Sequence, residues 1–251
     1  MIFYRNFKDF VLSFKYPYGK VFLVSYPNSG RSWLNYMLLN VLKTLEIQDI
    51  NIQLTHDQSE IILENGFKPD PLLLYKYPNR YKYLRSRVIF LARDPRDIIA
   101  SNFYQVTNRS KFPFNFDSIS DFVKHDVYGF KRIIYFYNLW NNNKNIPIDF
   151  KLVKYENLLN GIDEFKKVLS FLNIKIKDDI VSNIYMESSA DKMRKKEKEN
   201  TLEGITHFGT ELDKLKVRHA TKGSFRNDLS NKDILYCNNE MKKLSSFFKY
   251  F

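Results

Sequence analysis

Between residues 21 and 39 the chain changes its hydrophobic period within a few positions, and this change limits the folds open to it. Val21-Phe22-Leu23-Val24-Ser25 is an apolar run of the kind that forms a buried strand. Pro27-Asn28-Ser29-Gly30 is turn chemistry, and Trp33-Leu34-Asn35-Tyr36-Met37-Leu38-Leu39 opens a helical pattern. A strand that feeds a helix through a Gly/Ser turn aims unpaired backbone N–H groups, and the positive end of the helix dipole, at one point. That point suits a phosphate or a sulfate. The common nucleotide signature G-x-x-x-x-G-K-[ST] is nevertheless absent, and Asn28 and Arg31 stand where lysines would be expected.

The rest of the chain continues the alternation. Strands are predicted at 21–25, 51–55, 87–92 and 150–155, with helices at 31–46, from Pro95 onward, along 119–140, at 165–172 and at 231–248. Asp94 and Pro95 supply an N-cap and a first-turn proline. The spacing of Ile119, Phe122, Val123, Phe130, Ile133, Ile134, Tyr137 and Trp140 predicts one long helix. Two stretches fall outside the pattern: a polar, Pro-containing segment at 58–87 that reads as a lid or substrate loop, and a charged stretch at 188–227 that reads as an irregular flap. Strands alternating with helices predict an α/β fold around a parallel sheet. With no internal repeat and no low-complexity linker, the 251 residues are read as one domain, 1–251, with its core at 20–175.

Composition narrows the partners. The formal net charge is +12, from 40 basic and 28 acidic residues, which favours anionic partners. The dense run from Lys192 to Lys198 reads as a solvated helix face, and nucleic acid is not an expected partner. A single cysteine, Cys237, excludes an intramolecular disulfide and suits a reducing compartment. No apolar run approaches the roughly 18 residues that cross a bilayer, and the charged N-terminus does not read as a signal peptide. The expectation is a cytoplasmic protein.

In open parallel sheets ligands bind at the carboxyl ends of the strands. The segments Tyr26 to Trp33, Thr55-His56-Asp57 and Arg93-Asp94-Pro95-Arg96-Asp97 all fall there. Arg93 leaves its strand and Ser101 lies two turns into the next helix, so the pair offers a second anion site beside the first. Two anion sites on one edge suggest a nucleoside carrying phosphate at both ends.

These residues resemble the sulfotransferase family, whose donor is 3′-phosphoadenosine 5′-phosphosulfate (PAPS). The family's donor loop, Tyr-Pro-Lys-Ser-Gly-Thr-Thr-Trp, is similar to Tyr26-Pro27-Asn28-Ser29-Gly30-Arg31-Ser32-Trp33. Its Arg-x-Pro-x-Asp motif, with a Ser eight residues beyond the Arg, is similar to Arg93 through Asp97 with Ser101. Tyr155-Glu156-Asn157-Leu158 resembles its Tyr-Glu-Asx-Leu segment, Ser189 to Met193 its Ser-Phe-x-x-Met segment, and Arg218-His219-Ala220 with Gly223 its Arg-Lys-Gly…Gly block. The five motifs recur in the family's order over nearly the whole chain. The resemblance implies a P-loop-like three-layer fold and sulfuryl transfer to an acceptor hydroxyl, with 3′-phosphoadenosine 5′-phosphate (PAP) as product and no metal.

It also implies roles for particular residues. Ser29, Gly30, Arg31, Ser32 and Trp33 would hold the 5′-phosphosulfate, with Asn28 and Arg31 also serving the chemistry. Arg93, Ser101 and Arg218 would hold the 3′-phosphate, Tyr155 would lie near adenine, and Ser189 and Met193 would belong to a donor-binding flap at 186–230. His56 would be the catalytic base, since a near-neutral imidazole can accept the hydroxyl proton.

Read without the resemblance, Trp33 is core packing, Glu156 orients a neighbour, and His125, His207 and His219 have no catalytic context. Three departures are specific: Asn28 for the loop lysine, Ala190 for an aromatic, and His219-Ala220 for Lys-Gly. Arg31 or Lys76 are the cations available to compensate. Two other readings of the residues are a nucleotide or sugar kinase and a degenerate, non-catalytic nucleotide-binding module. The acceptor is open between a glycan, a glycolipid head group and a small alcohol or phenol, with a carbohydrate-type hydroxyl preferred. Oligomeric state is not legible.

Overall fold

The computed structural model describes residues 19–62, 68–110, 114–201, 215, 217 and 221–250. Four strands, β1 (Lys20–Ser25), β2 (Ile52–Thr55), β3 (Ser86–Ala92) and β4 (Asp149–Lys154), lie in the order β2-β1-β3-β4, and every neighbouring pair is parallel. Parallel pairing needs crossovers, and the first of these is α1 (Arg31–Thr44), between β1 and β2. Between β2 and β3 come α2 (Leu73–Lys76) and a 3-10 turn at Tyr81–Tyr83; α3 (Pro95–Asn108), α4 (Ile119–Lys124) and α5 (Phe130–Asn143) link β3 to β4. Then follow α6 (Tyr155–Asn160), α7 (Asp163–Phe171), α8 (Asp178–Glu187), α9 (Ala190–Lys198), α10 (Phe225–Asp228) and α11 (Asn231–Met241).

Side-chain alternation along the strands sorts the helices into two layers. Val88, Phe90 and Ala92 join one core with residues of α3, α4, α5 and α11. Ile89 and Leu91 join the other, with α1, α6, α7 and α8. β3 is therefore covered on both faces, which is why it reads as an unbroken apolar run. Phe90 sits at the centre of the first core, its ring 5.6 Å from those of Tyr137 and Trp140 and 5.8 Å from that of Phe248. The result is the P-loop-like α/β architecture.

The strand order positions the site. From β1 the chain passes to β2 on one side, while β3 pairs with β1 on the other, so the connections diverge between β1 and β3. A crevice opens at the carboxyl ends of strands at such a reversal. The segments that follow β1 and β3 are Tyr26–Gly30 and Arg93–Asp94.

Three elements differ from the sequence expectation. The single helix along 119–140 is two helices, α4 and α5, broken at His125–Gly129. His125 makes the break: its Nδ1 accepts from the N–H groups of Val127 (3.1 Å) and Tyr128 (3.2 Å), and its carbonyl accepts from Gly129 N–H (2.9 Å). A Cβ at Gly129 would collide with the His125 and Val123 carbonyls, so only glycine fits the corner. Within the expected flap, 190–198 is a regular helix, with only Met193 and Glu197 buried. The last helix stops at Met241, and a 3-10 turn at Ser246–Phe248 follows it.

Candidate active site

The turn after β1 is built from two left-handed residues, Asn28 (φ 63°) and Gly30 (φ 91°). Gly30 cannot be replaced without displacement, because a Cβ there would stand 2.5 Å from Tyr155 Cδ2. The close approach brings the head of α6 against the loop. No side chain caps α1, and the N–H groups of Trp33 (3.1 Å) and Leu34 (3.3 Å) donate back to the Gly30 carbonyl. Arg31 and Ser32 occupy that first turn and are half-buried. Trp33, one residue on, is a bracket: its Nε1 donates to the Ser188 carbonyl (2.7 Å), and its ring meets that of Tyr155 edge-on at 5.7 Å.

Arg93 leaves β3 directly beside this turn. Its Nη1 donates to the Asn28 carbonyl (3.0 Å), and its guanidinium lies 4.7 Å from the centre of the Tyr155 ring. Its own N–H donates to Tyr137 Oη, whose hydroxyl donates back to the Arg93 carbonyl, both at 2.8 Å. Burial pushes the phenols of both Tyr137 and Tyr155 upward, so they stay neutral. Arg93 is 7% exposed, and among the described residues no carboxylate forms an ion pair with it. A buried cation without a counter-charge is costly, and an anion arriving in the crevice relieves that cost.

The α3 helix begins under the same edge. Asp94 caps it by accepting from Arg96 N–H (2.9 Å), and the Asp94 N–H donates to Glu156 Oε1 (2.7 Å). Burial raises the carboxyl of Glu156 above its ordinary value, and the Tyr250 hydroxyl supplies its other oxygen with a donor at 3.0 Å. Asp97 is fully buried and accepts from Gly223 N–H and Phe225 N–H, both at 2.9 Å, and from Ser224 Oγ at 3.2 Å. The chain past residue 221 is thereby tied to the first turn of α3. Arg218 lies outside the described residues, as do His207 and His219.

Asn102 and Gln105 on α3, and Arg109 at its C-cap, reach the loop at Asn28. Asn28 Nδ2 donates to Asn102 Oδ1 (2.6 Å) and Gln105 Oε1 (2.5 Å). Arg109 Nη2 donates to Asn28 Oδ1 and to the Ser101 carbonyl, each at 3.4 Å. A guanidinium therefore touches the residue that stands at the loop-lysine position. The sequence reading missed Asn102, Gln105 and Arg109. Their signal was the polar series Ser101, Asn102 and Gln105, which continues to Arg109 at three- and four-residue steps. Lys76, named as a compensating cation, is instead exposed on α2 beside the Tyr77 ring.

His56 follows β2, and its Nδ1 lies 2.8 Å from the Ser25 carbonyl. A carbonyl only accepts, so Nδ1 carries a proton. Asp57 and Gln58, both at positive φ, turn the chain sharply after it. Asp57 is buried under Arg80 Nε (2.5 Å), Lys82 Nζ (2.7 Å) and the Tyr83 hydroxyl (2.8 Å). On the far side of the crevice, Met193 is buried in α9 and Ser189 is exposed at its head. Lys196 ties this helix to α1 by donating to the Tyr36 hydroxyl at 2.7 Å.

The sequence model of the sulfotransferase domain matches residues 19–246. The chain belongs to the sulfotransferase family. It is a sulfotransferase, dependent on PAPS as that family is. A curated relative, the guinea pig (Cavia porcellus) 3-beta-hydroxysteroid sulfotransferase, is 22% identical over 209 residues, which cover 73% of this chain and 71% of the relative. Among solved structures, the mouse sulfotransferase SULT7A1 complexed with PAP is 19% identical, with a TM-score of 0.60 over 89% of this chain and 84% of that one. Retinol dehydratase in complex with retinol and PAP is 13% identical, with a TM-score of 0.60 over 94% and 84%. These likenesses are of fold. Among the described residues, no group of three or more His, Cys, Asp or Glu is placed to hold a metal ion.

Proposed function

We propose that this sulfotransferase transfers the sulfuryl group of PAPS to a carbohydrate-type hydroxyl, with His56 as the base. The observation that carries the donor half of this reading is Arg93. It is a buried cation with no carboxylate partner among the described residues, bonded to the donor loop and stacked on Tyr155. The 3′-phosphate is the anion assigned to it, with Ser101 and Arg218 as further contacts and Tyr155 beside the adenine. The N–H groups at the start of α1, with Ser29, Gly30, Arg31, Ser32 and Trp33, take the 5′ end. Ser189 and Met193 belong to the donor-side flap at 186–230, in a chain read as one domain of the cytoplasm.

The transfer is an in-line displacement at sulfur. The acceptor oxygen attacks sulfur as its proton passes to His56 Nε2, and the pair of the breaking S–O bond goes to the 5′-phosphate oxygen. The Ser25 carbonyl holds His56 in the tautomer that this step requires. Cations and N–H donors stabilise the charge gathering on the departing phosphate. Asn28 contributes a hydrogen bond but no charge, and Arg109, in contact with it, supplies the charge from α3.

His56→Ala is expected to lower transfer of labelled sulfate by at least about a hundredfold, with calorimetric PAP binding intact. Arg93→Ala is expected to lose PAP binding. Full activity in the His56 variant, or preference for ATP over PAP, overturns the assignment. A panel of glycans set against sterols and small alcohols tests the acceptor class, because the curated relative is a hydroxysteroid sulfotransferase.

A further inference from the structure

Ten large apolar side chains are exposed among the described residues, and five of them lie between residues 72 and 84. This concentration sets the segment apart from the scattered exposure that any surface shows. The five are Leu72 (60% exposed), Tyr75, Tyr77, Tyr81 (61%) and Leu84. Interleaved with them are the exposed cations Lys76 and Arg85, and the exposed Lys82, whose ammonium is paired with Asp57. No Asp or Glu occurs between Asp70 and Asp94, so this surface carries no charge of opposite sign from its own segment. The buried Leu74 and Tyr83, together with the pairing of Arg80 to Asp57, hold the backbone down, so the exposed rings stand on an anchored base.

We propose that residues 72–85 form a docking surface for an anionic lipid bilayer. Tyrosine and leucine beside lysine and arginine is the composition that lies at a membrane interface: the rings and aliphatic groups enter the headgroup zone while the cations stay with the lipid phosphates. Charge selects this occupant over a second copy of the chain, since self-association would set Lys76 and Arg85 against their own like charges. Among the described residues no helix is long and apolar enough to cross a membrane, so the contact is peripheral. Arg80, Lys82 and Tyr83 hold Asp57, which adjoins His56, so the docked surface is contiguous with the acceptor side of the site. The acceptor that fits is a hydroxyl on a lipid head group, presented at the bilayer surface. This last step rests on the role proposed for His56, whereas the docking does not.

The test is co-sedimentation of the full chain with vesicles of phosphatidylcholine alone and of phosphatidylcholine mixed with phosphatidylglycerol. Binding is expected to the anionic vesicles only and to weaken as salt is raised. The triple substitution Tyr77→Ser, Tyr81→Ser, Leu84→Ser and the charge reversal Lys76→Glu, Arg85→Glu are each expected to reduce the bound fraction about tenfold. PAP binding by calorimetry, expected to be unchanged in both variants, verifies that they fold. The proposal is overturned if the unmodified chain stays in the supernatant, or if neither variant weakens binding. It is also overturned if sedimentation equilibrium shows a dimer that the triple substitution dissociates. Failure of the unmodified chain to bind PAP would instead count against the donor site and leave the vesicle result standing.

Discussion

Asp97 and Asp57 each lie just beyond a strand of the sheet, and both are sealed from solvent, yet their partners have opposite chemistry. Asp97, on the donor side, accepts from two backbone N–H groups and one serine hydroxyl. Asp57, on the acceptor side, is ringed by a guanidinium, an ammonium and a phenol. The first clamp engages mainly main chain. The second engages three side chains and places a full ion pair, Asp57–Arg80, out of water. Removing one member of such a pair is far more damaging than losing a neutral hydrogen bond, because the other charge stays buried. Of the two carboxylates, Asp57 is therefore the one whose loss should cost more stability.

The largest effect should come from Asp57→Ala. It leaves Arg80 buried without a counter-charge and should cost about 3–5 kcal/mol in urea unfolding. In the fraction that remains folded, transfer should fall while PAP binding persists. A loss no larger than that at Asp97 would erase the distinction between the clamps. Asp97→Asn should cost about 1–3 kcal/mol and should also weaken PAP binding, since the chain past residue 221 loses its tie to α3. Unchanged PAP affinity would separate that tie from the donor site.

Arg109→Ala sharpens the donor side further. Its kcat should drop about tenfold, with the donor KM nearly constant, as expected when a charge acts on the transition state more than on the bound donor. An equal rise in KM would make Arg109 a binding residue. The smallest effect is a pH dependence. The carboxyl of Glu156 is raised above its ordinary value by burial, so it binds its proton more tightly in the folded state than in the unfolded chain. Its contribution to stability is fully present below the unfolded value and is lost as pH rises through the folded one. Glu156→Gln should flatten that part of the unfolding profile, and an unaltered slope would show that hydrogen bonds from Asp94 and Tyr250 offset the burial.

Where local chemistry and tertiary environment agreed, the sequence could be read directly. β1, the turn through Gly30 and α1 were legible because apolar period, turn residues and helical spacing follow one another without conflict. The start of α3 was legible for the same reason, through Asp94 and Pro95. The break between α4 and α5 was not: apolar spacing continues across Gly129, and the feature that ends the helix is the His125 ring accepting from the backbone. The helix at Ala190–Lys198 was legible only as the solvated face of Lys192–Lys198, inside a stretch otherwise read as irregular, because it buries only two side chains. The contacts of Asn28 with α3, and of Asp57 with Arg80, join residues more than twenty positions apart, and no local pattern encodes such pairings. Arg109 belongs to the same class. The roles given to the site residues rest on this geometry and on the family motifs together.

The hydrogen bond from His56 to Ser25 has one more consequence. Ser25 ends β1, and the loop Tyr26–Gly30 begins at the next residue, so the proposed base and the proposed donor cradle are referenced to the same few atoms of one central strand. On that reading, a shift of β1 moves the imidazole and the loop in the same direction.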